Sequence, residues 1–135
     1  MKIFLSYRFT GEEPKALDIT LKRIAEALKL AGHETYCSFW DEEIFSEKKY
    51  THRQILEHAL KELDKADVYL AFVKSQDKSE GMLMEAGYAL AKSKHIVIAL
   101  KKGITTTFLT QIAKGVIEFN DIEDLCDKLS KENKF

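Results

Sequence analysis

Residues 67–100 read DVYLAFVKSQDKSEGMLMEAGYALAKSKHIVIAL, and this stretch decides the fold. Asp67 to Val73 is a short run of large apolar and β-branched residues, the pattern of a central strand buried on both faces. A helix from about Glu80 to Lys92 follows, and then a second apolar run, His95 to Leu100. A strand, a helix and a strand in that order predict a parallel pair joined by a right-handed crossover.

The same alternation extends in both directions. Lys2-Ile3-Phe4-Leu5-Ser6 reads as a first buried strand ending at a polar turn. From about Pro14 to Leu30, the apolar residues Leu17, Ile19, Leu21, Ile24, Ala25, Leu28 and Leu30 recur at helical spacing, and Ala31-Gly32 supplies the stop. Glu34 to Phe39 is predicted as a second strand, followed by a long loop without clean period from Trp40 to Tyr50. Thr51 and Gln54 form a capping box for a helix carrying Ile55, Leu56, Ala59, Leu60 and Leu63. Beyond Leu100, the run Thr105-Thr106-Thr107 precedes a short helix near Phe108 to Lys114, and Val116 to Phe119 is a fifth strand. Asn120 and Glu123 are expected to cap a last helix with Ile122, Leu125, Cys126 and Leu129 on its apolar side. The expected fold class is α/β, a flavodoxin-like or Rossmann-like three-layer sandwich with a five-stranded parallel sheet, forming one domain over residues 1–135.

Composition narrows the function classes. The chain has 135 residues, 45% hydrophobic, enough for one core, and its net charge of −1 offers no basic field for a nucleic-acid polymer. A small molecule is the expected partner. Cys37 and Cys126 are far apart, without a CxxC pair or histidine cluster, so no metal or other cofactor is expected and both are read as buried thiols. The chain enters a strand pattern without a signal peptide and has no run of membrane-spanning length, which gives a cytoplasmic expectation and no membrane partner.

In a doubly wound parallel sheet, ligands bind beyond the carboxyl ends of the strands where the strand order reverses. That rule selects the segments Ser6 to Gly11, Ser38 to Tyr50, and Lys74 to Glu85. In the third, Ser79 and Gly81 open a helix whose free amides and positive dipole end favour an anion such as phosphate. Glu85 lies four residues beyond Gly81, on about the same helical face. Read on spacing alone, Glu85 is equally a solvated helix residue and Ser79 an ordinary N-cap.

The pattern Ser79-x-Gly81-x-x-Met84-Glu85-x-Gly87-Tyr88-Ala89 resembles the signature of the nucleoside 2-deoxyribosyltransferase family and its related 2-deoxynucleoside 5-monophosphate N-hydrolases. The resemblance extends to Ile3–Arg8, the helix ending at Gly32, Ala66-Asp67-Val68, and Lys94–Leu100. It implies a catalytic nucleophile at Glu85 and substrate contacts from Ser6, Arg8, Ser79, Gly81 and Met84. Tyr7 matches a tyrosine of the family's first substrate loop and is the second catalytic candidate. A serine at position 79, where the transferases carry an acidic group, implies a nucleotide substrate and an N-hydrolase that releases free base. Trp40, with Phe39, Phe45 and Tyr50, supplies a candidate apolar slot for the base or a satellite core under the loop. The resemblance also implies a homodimer or larger, with a hydroxyl from the Thr105-Thr106-Thr107 stretch, Thr107 in the first place, completing a neighbouring subunit's pocket.

One departure stands out. The family usually carries an aspartate where this chain has Ala59, and His52, Glu57 and His58 are nearby substitutes for its role at the leaving base. Three other readings remain: a base-exchanging deoxyribosyltransferase, an NAD-cleaving domain, and a non-catalytic nucleotide-binding or signalling domain. The opening Ile3-Phe4-Leu5-Ser6-Tyr7-Arg8 also resembles Toll/interleukin receptor-type domains.

Overall fold

Along each inner strand of the computed structural model, which describes residues 1–105 and 107–135, side chains alternate between two cores. The strands are β1 (Lys2–Ser6), β2 (Glu34–Tyr36), β3 (Val68–Val73), β4 (His95–Lys101) and β5 (Gly115–Phe119). They form one sheet of order β2-β1-β3-β4-β5 with every pair parallel. The helices are α1 (Pro14–Leu30), α2 (Glu42–Glu47), α3 (His52–Lys65), α4 (Glu80–Ala91), α5 (Leu109–Ile112) and α6 (Ile122–Leu129).

Ile3, Leu5, Leu70, Phe72 and Ala99 point to the face covered by α1 and α6, where Leu21, Ile24, Leu28, Leu125 and Leu129 meet them. Phe4, Tyr69, Ala71, Ile96 and Ile98 point to the other face, against Ala59, Leu63, Met82, Ala86 and Ala89 of α3 and α4. The middle of each inner strand is therefore apolar on both faces, which is why these strands read as continuous hydrophobic runs. The result is the expected three-layer α/β sandwich. No helix among the described residues is long and apolar enough to cross a membrane.

Several boundaries differ from the sequence expectation. The second strand ends at Tyr36, and the chain then winds through a 3₁₀ turn, Ser38–Asp41, directly into α2, so the aperiodic loop is largely helical. Its periodicity is hidden because Phe45 is the one residue of these two turns classed as buried. The last helix is capped by Asp121, which accepts from the Asp124 amide at 2.8 Å, while Asp124 reaches back to the Asn120 amide at 2.9 Å. The box is therefore Asp121 with Asp124 rather than Asn120 with Glu123. The Thr51–Gln54 box forms as expected. The helix before β5 covers only Leu109–Ile112, since the Lys114 amide already donates to the Ile96 carbonyl at 2.8 Å. Ile19 and Leu30 lie on the exposed side of α1, and Ala27 takes a place in the core. Cys37 is buried as expected, whereas Cys126 is only partly so.

Leu70 has no exposed surface and sits in the middle of β3, so Leu70→Ala should destabilise the fold by about 3 kcal/mol. Leu30→Ala, at a position 79% exposed, should change stability by less than about 0.5 kcal/mol. Thermal and urea unfolding of the two variants beside the parent checks both outcomes.

Candidate active site

The strand order reverses between β1 and β3, and the last residue of β1 is Ser6, paired with Ala71. Ser6 is 1% exposed, and its hydroxyl donates to Glu85 Oε1 at 2.6 Å. Glu85 is in the second turn of α4, so this bond closes the gap between the tip of the sheet and the helix that follows β3. Beneath it, the fully buried Tyr69 donates from its hydroxyl to the Met82 carbonyl at 3.0 Å, fixing the first turn of α4 against the sheet.

Burial pushes the Glu85 carboxyl up to about 7, against the opposing pull of the Ser6 hydrogen bond. The group therefore changes charge near neutrality, as a carboxyl with catalytic duties often does. Burial, reinforced by the negative charge of Glu85, also raises Tyr7, Cys37 and Tyr69, so these three side chains share its field.

Tyr7 continues from β1 into the first loop. Its ring meets Phe39 edge-on with centroids 5.7 Å apart, and burial pushes its hydroxyl well above the usual tyrosine range, with Ser38 opposing and the charge of Glu42 adding to the rise. Glu42 opens α2; although the residue is exposed overall, partial desolvation raises its carboxyl, with Tyr7 opposing. Phe9, Phe39, Trp40, Glu42 and Glu43 line an open groove along the amino end of α1.

Ser79 caps α4 by accepting from the Met82 amide at 3.2 Å, which leaves its own O–H available as a donor. Two clefts meet at this residue. One is lined by Arg8, Glu12, Lys74, Asp77 and Ser79. The other is walled by Leu83, Thr107, Phe108 and Leu109. Arg8 lies 3.5 Å from Glu12 and 3.6 Å from Asp77, and Lys74 is 3.0 Å from Glu12. Arg8 also donates to the Thr10 carbonyl. Gly11, at φ +81°, lets the first loop fold over Arg8; a Cβ there would come within 3.3 Å of the guanidinium.

The structure thus joins Ser6, Tyr7 and Glu85 in one cluster, and Arg8 and Ser79 in the adjoining cleft. Thr107 borders Ser79 within the same chain, its Oγ1 accepting from the Leu109 amide at 3.1 Å; Thr106 lies outside the described residues. Gly81 is exposed beside Ser79, and a Cβ there would find only the Ser79 Oγ at 3.9 Å, so packing alone does not demand glycine. Met84 is 52% exposed and lines neither cleft. Trp40 belongs to the α1 groove, apart from the Ser79 clefts. Phe45 and Tyr50 stack on each other at 5.5 Å under the loop, a satellite core and not part of a slot.

Ala59 is 2% exposed and packs in the α3–α4 core. The nearby substitutes are engaged elsewhere: His58 with Asp41 at 3.1 Å, and Glu57 with Arg53 at 2.8 Å, while His52 is exposed at the start of α3. Sequence reasoning missed Glu42, Glu12 and Lys74. Glu42 stands within the acidic run Asp41-Glu42-Glu43, but only the packing of the second loop on Tyr7 distinguishes it from its neighbours.

The model of the family described as nucleoside 2-deoxyribosyltransferase matches residues 7–121. No curated protein sequence matches the chain. Among solved structures, a CMP N-glycosidase of Clostridium botulinum is similar at TM-score 0.69 and 17% identity, over 96% of this chain and 97% of its own. A 2-deoxyribosyltransferase of Bacillus psychrosaccharolyticus is similar at TM-score 0.71 and 17% identity, over 100% of this chain and 93% of that one. The SEFIR domain of interleukin-17 receptor B shares the fold at TM-score 0.57 and 12% identity, over 99% and 97% of the two chains. The family match spans most of the sequence, includes Tyr7, Ser79 and Glu85, and falls on the fold seen in the transferase: the chain belongs to the nucleoside 2-deoxyribosyltransferase family, enzymes that transfer or cleave at the N-glycosidic bond of small nucleoside substrates.

Proposed function

We propose that this protein cleaves the N-glycosidic bond of a (deoxy)nucleoside 5-monophosphate, with Glu85 as nucleophile, and releases the free base. The observation that carries the reading is the Glu85 carboxyl held by Ser6 at 2.6 Å at the β1/β3 reversal, in the second turn of the helix that Ser79 caps beside its cation-lined cleft. A carboxylate there attacks the anomeric carbon, the base leaves, and a glycosyl ester forms on Glu85; water then opens the ester. Splitting the displacement into two steps gives each a lower barrier than direct attack by water. Ser6 holds Glu85, and Tyr7 fixes the first loop against Phe39.

The phosphate end is Arg8, Lys74, Ser79 and the α4 amides. Arg8 and Lys74 are held by Glu12 and Asp77, and a phosphate entering the cleft competes for those cations while the helix terminus adds amide donors. An acidic residue at position 79 would repel the same group. The similar CMP N-glycosidase is named for a nucleotide, which agrees with this reading.

The functional unit is proposed to be a homodimer. Leu83, Met84 and Leu90 are 43%, 52% and 51% exposed on α4, and Phe108 beside them is 84% exposed. An apolar strip of this kind, next to the Ser79 clefts, suits a second copy of the chain. Leu90→Lys should then convert a dimer to a monomer in analytical ultracentrifugation without lowering the thermal midpoint of the monomeric fold. A monomeric parent would remove the dimer.

Chromatography of reactions with a panel of nucleosides, nucleoside 5-monophosphates and NAD tests the substrate class. Free base is expected from a monophosphate. Consumption of NAD alone would sink the reading, and exchange of the sugar onto an added second base would make the enzyme a transferase. Glu85→Gln should lower turnover at least about 1,000-fold while the fold is kept.

The raised Glu85 carboxyl sets two pH dependences. Attack requires the carboxylate, so kcat/KM should fall about tenfold per unit as pH drops below about 7. For stability the sign is opposite: the folded value of about 7 exceeds the ordinary 4.5, so the contribution of Glu85 is favourable at low pH and is lost as pH rises through about 7. Glu85→Gln should therefore be more stable than the parent at pH 8, by on the order of 3 kcal/mol at most, with the difference shrinking toward pH 5. Urea titrations at the two pH values measure it.

A further inference from the structure

We propose that Glu42 is the general acid that protonates the departing base, filling the role that Ala59 leaves empty. This inference rests on the reading of Glu85 as nucleophile. Loss of a nucleobase leaves the electron pair of the C1′–N bond on the ring system, and a positioned acid that neutralises it contributes about 100- to 10,000-fold to such steps. The residues on α3 closest to Ala59 in sequence do not supply it, since His58 and Glu57 are tied to Asp41 and Arg53 and His52 is exposed at the helix start.

Four observations place Glu42 in that role. It shares a groove with Phe39, whose ring meets Tyr7 edge-on at 5.7 Å, and Tyr7 directly follows Ser6, the residue that holds Glu85 at 2.6 Å. Neither Glu42 nor Glu85 has an ion-pair partner among the described residues, whereas Glu12, Asp41 and Asp77 do. Glu42 lines a groove with the rings of Phe9, Phe39 and Trp40, surfaces on which a planar base stacks. Finally, its neighbour Asp41 is anchored twice, by the Tyr36 hydroxyl at 2.8 Å and His58 at 3.1 Å. That double tether fixes the start of α2 and hence the position of Glu42. Partial desolvation raises its carboxyl although the residue is exposed overall, and this favours the protonated form an acid must begin in.

The two steps balance. In the first, Glu85 forms a C1′–O bond as the C1′–N bond breaks, its electron pair stays with the base, and the proton of Glu42 passes to the base. In the second, water adds its oxygen to C1′, the Glu85 ester bond breaks to restore the carboxylate, and the remaining water proton returns to Glu42. The sum is nucleotide plus water giving free base plus sugar phosphate.

The test compares Glu42→Gln with the parent on a natural monophosphate and on a deoxyribose 5-phosphate carrying p-nitrophenolate, a leaving group that needs no proton. Glu47→Gln, at the far end of α2 and outside the groove, serves as control. We expect formation of the glycosyl ester from the natural substrate to fall at least about 100-fold, and from the activated substrate by less than about threefold. With the activated substrate, sugar phosphate should accumulate on Glu85 of the variant, seen by mass spectrometry of the intact protein, and azide should discharge it as the glycosyl azide. Equal losses on both substrates, or unchanged rates on both, would overturn the assignment of Glu42. If the parent and the variant both turn over and neither ever carries sugar on Glu85, the nucleophile reading fails instead.

Discussion

A carboxyl group set against the buried end of a parallel sheet is the constraint on which the rest of the site depends. Glu85 reaches the tip of β1 through one hydrogen bond from Ser6, and its burial opposes ionisation. The surroundings compensate only in part: Ser6 stabilises the charge, while Tyr69 spends its hydroxyl on the Met82 carbonyl and so holds α4 in position. A fully satisfied carboxylate would be stable and a poor nucleophile. One that is positioned rigidly but solvated incompletely keeps its reactivity, at some cost to the stability of the fold.

The other end of the site follows the opposite electrostatic rule. Arg8 and Lys74 are drawn together by Glu12, with Asp77 outside them, in a cleft that ends on the capped amino terminus of α4. Pairing the cations with carboxylates holds their side chains near the helix dipole without leaving two like charges unscreened. Along α4, then, the first turn faces a cation cluster and the second presents a carboxyl with no ion-pair partner among the described residues. A substrate with an anionic end and an electrophilic carbon a few ångströms away suits that order.

Much of this was legible in the sequence because it is local or periodic. The buried strands announced themselves as apolar runs, the Thr51–Gln54 box marked α3, and Ser79 through Glu85 fell in the first two turns of a helix that had to follow a central strand. The second loop was misread because a 3₁₀ turn and a six-residue helix are too short for a hydrophobic period, and because one of their large side chains, Phe45, packs into a satellite core with Tyr50 and His58. The cap of α6 was misplaced by a single residue, within a run where Asn120, Asp121, Glu123 and Asp124 all have the chemistry to cap. There the backbone decides: Asp121 takes the extended conformation that an N-cap needs.

By itself, the sequence determined the layer architecture, the parallel sheet and the helix that carries Glu85, since these follow from hydrophobic period, caps and chain order. The resemblance of that helix to a known signature pointed to the family. What only the tertiary structure decided are the relations between segments far apart in the chain. Ser6 meets Glu85 across 79 residues, Tyr7 meets Phe39 between two loops, and Ala59 turns into the core while Glu42 faces a groove. The physical reason is that periodicity reports which face of an element is buried, whereas a site at a strand-order reversal is assembled from loop ends whose mutual positions are set by sheet order and packing.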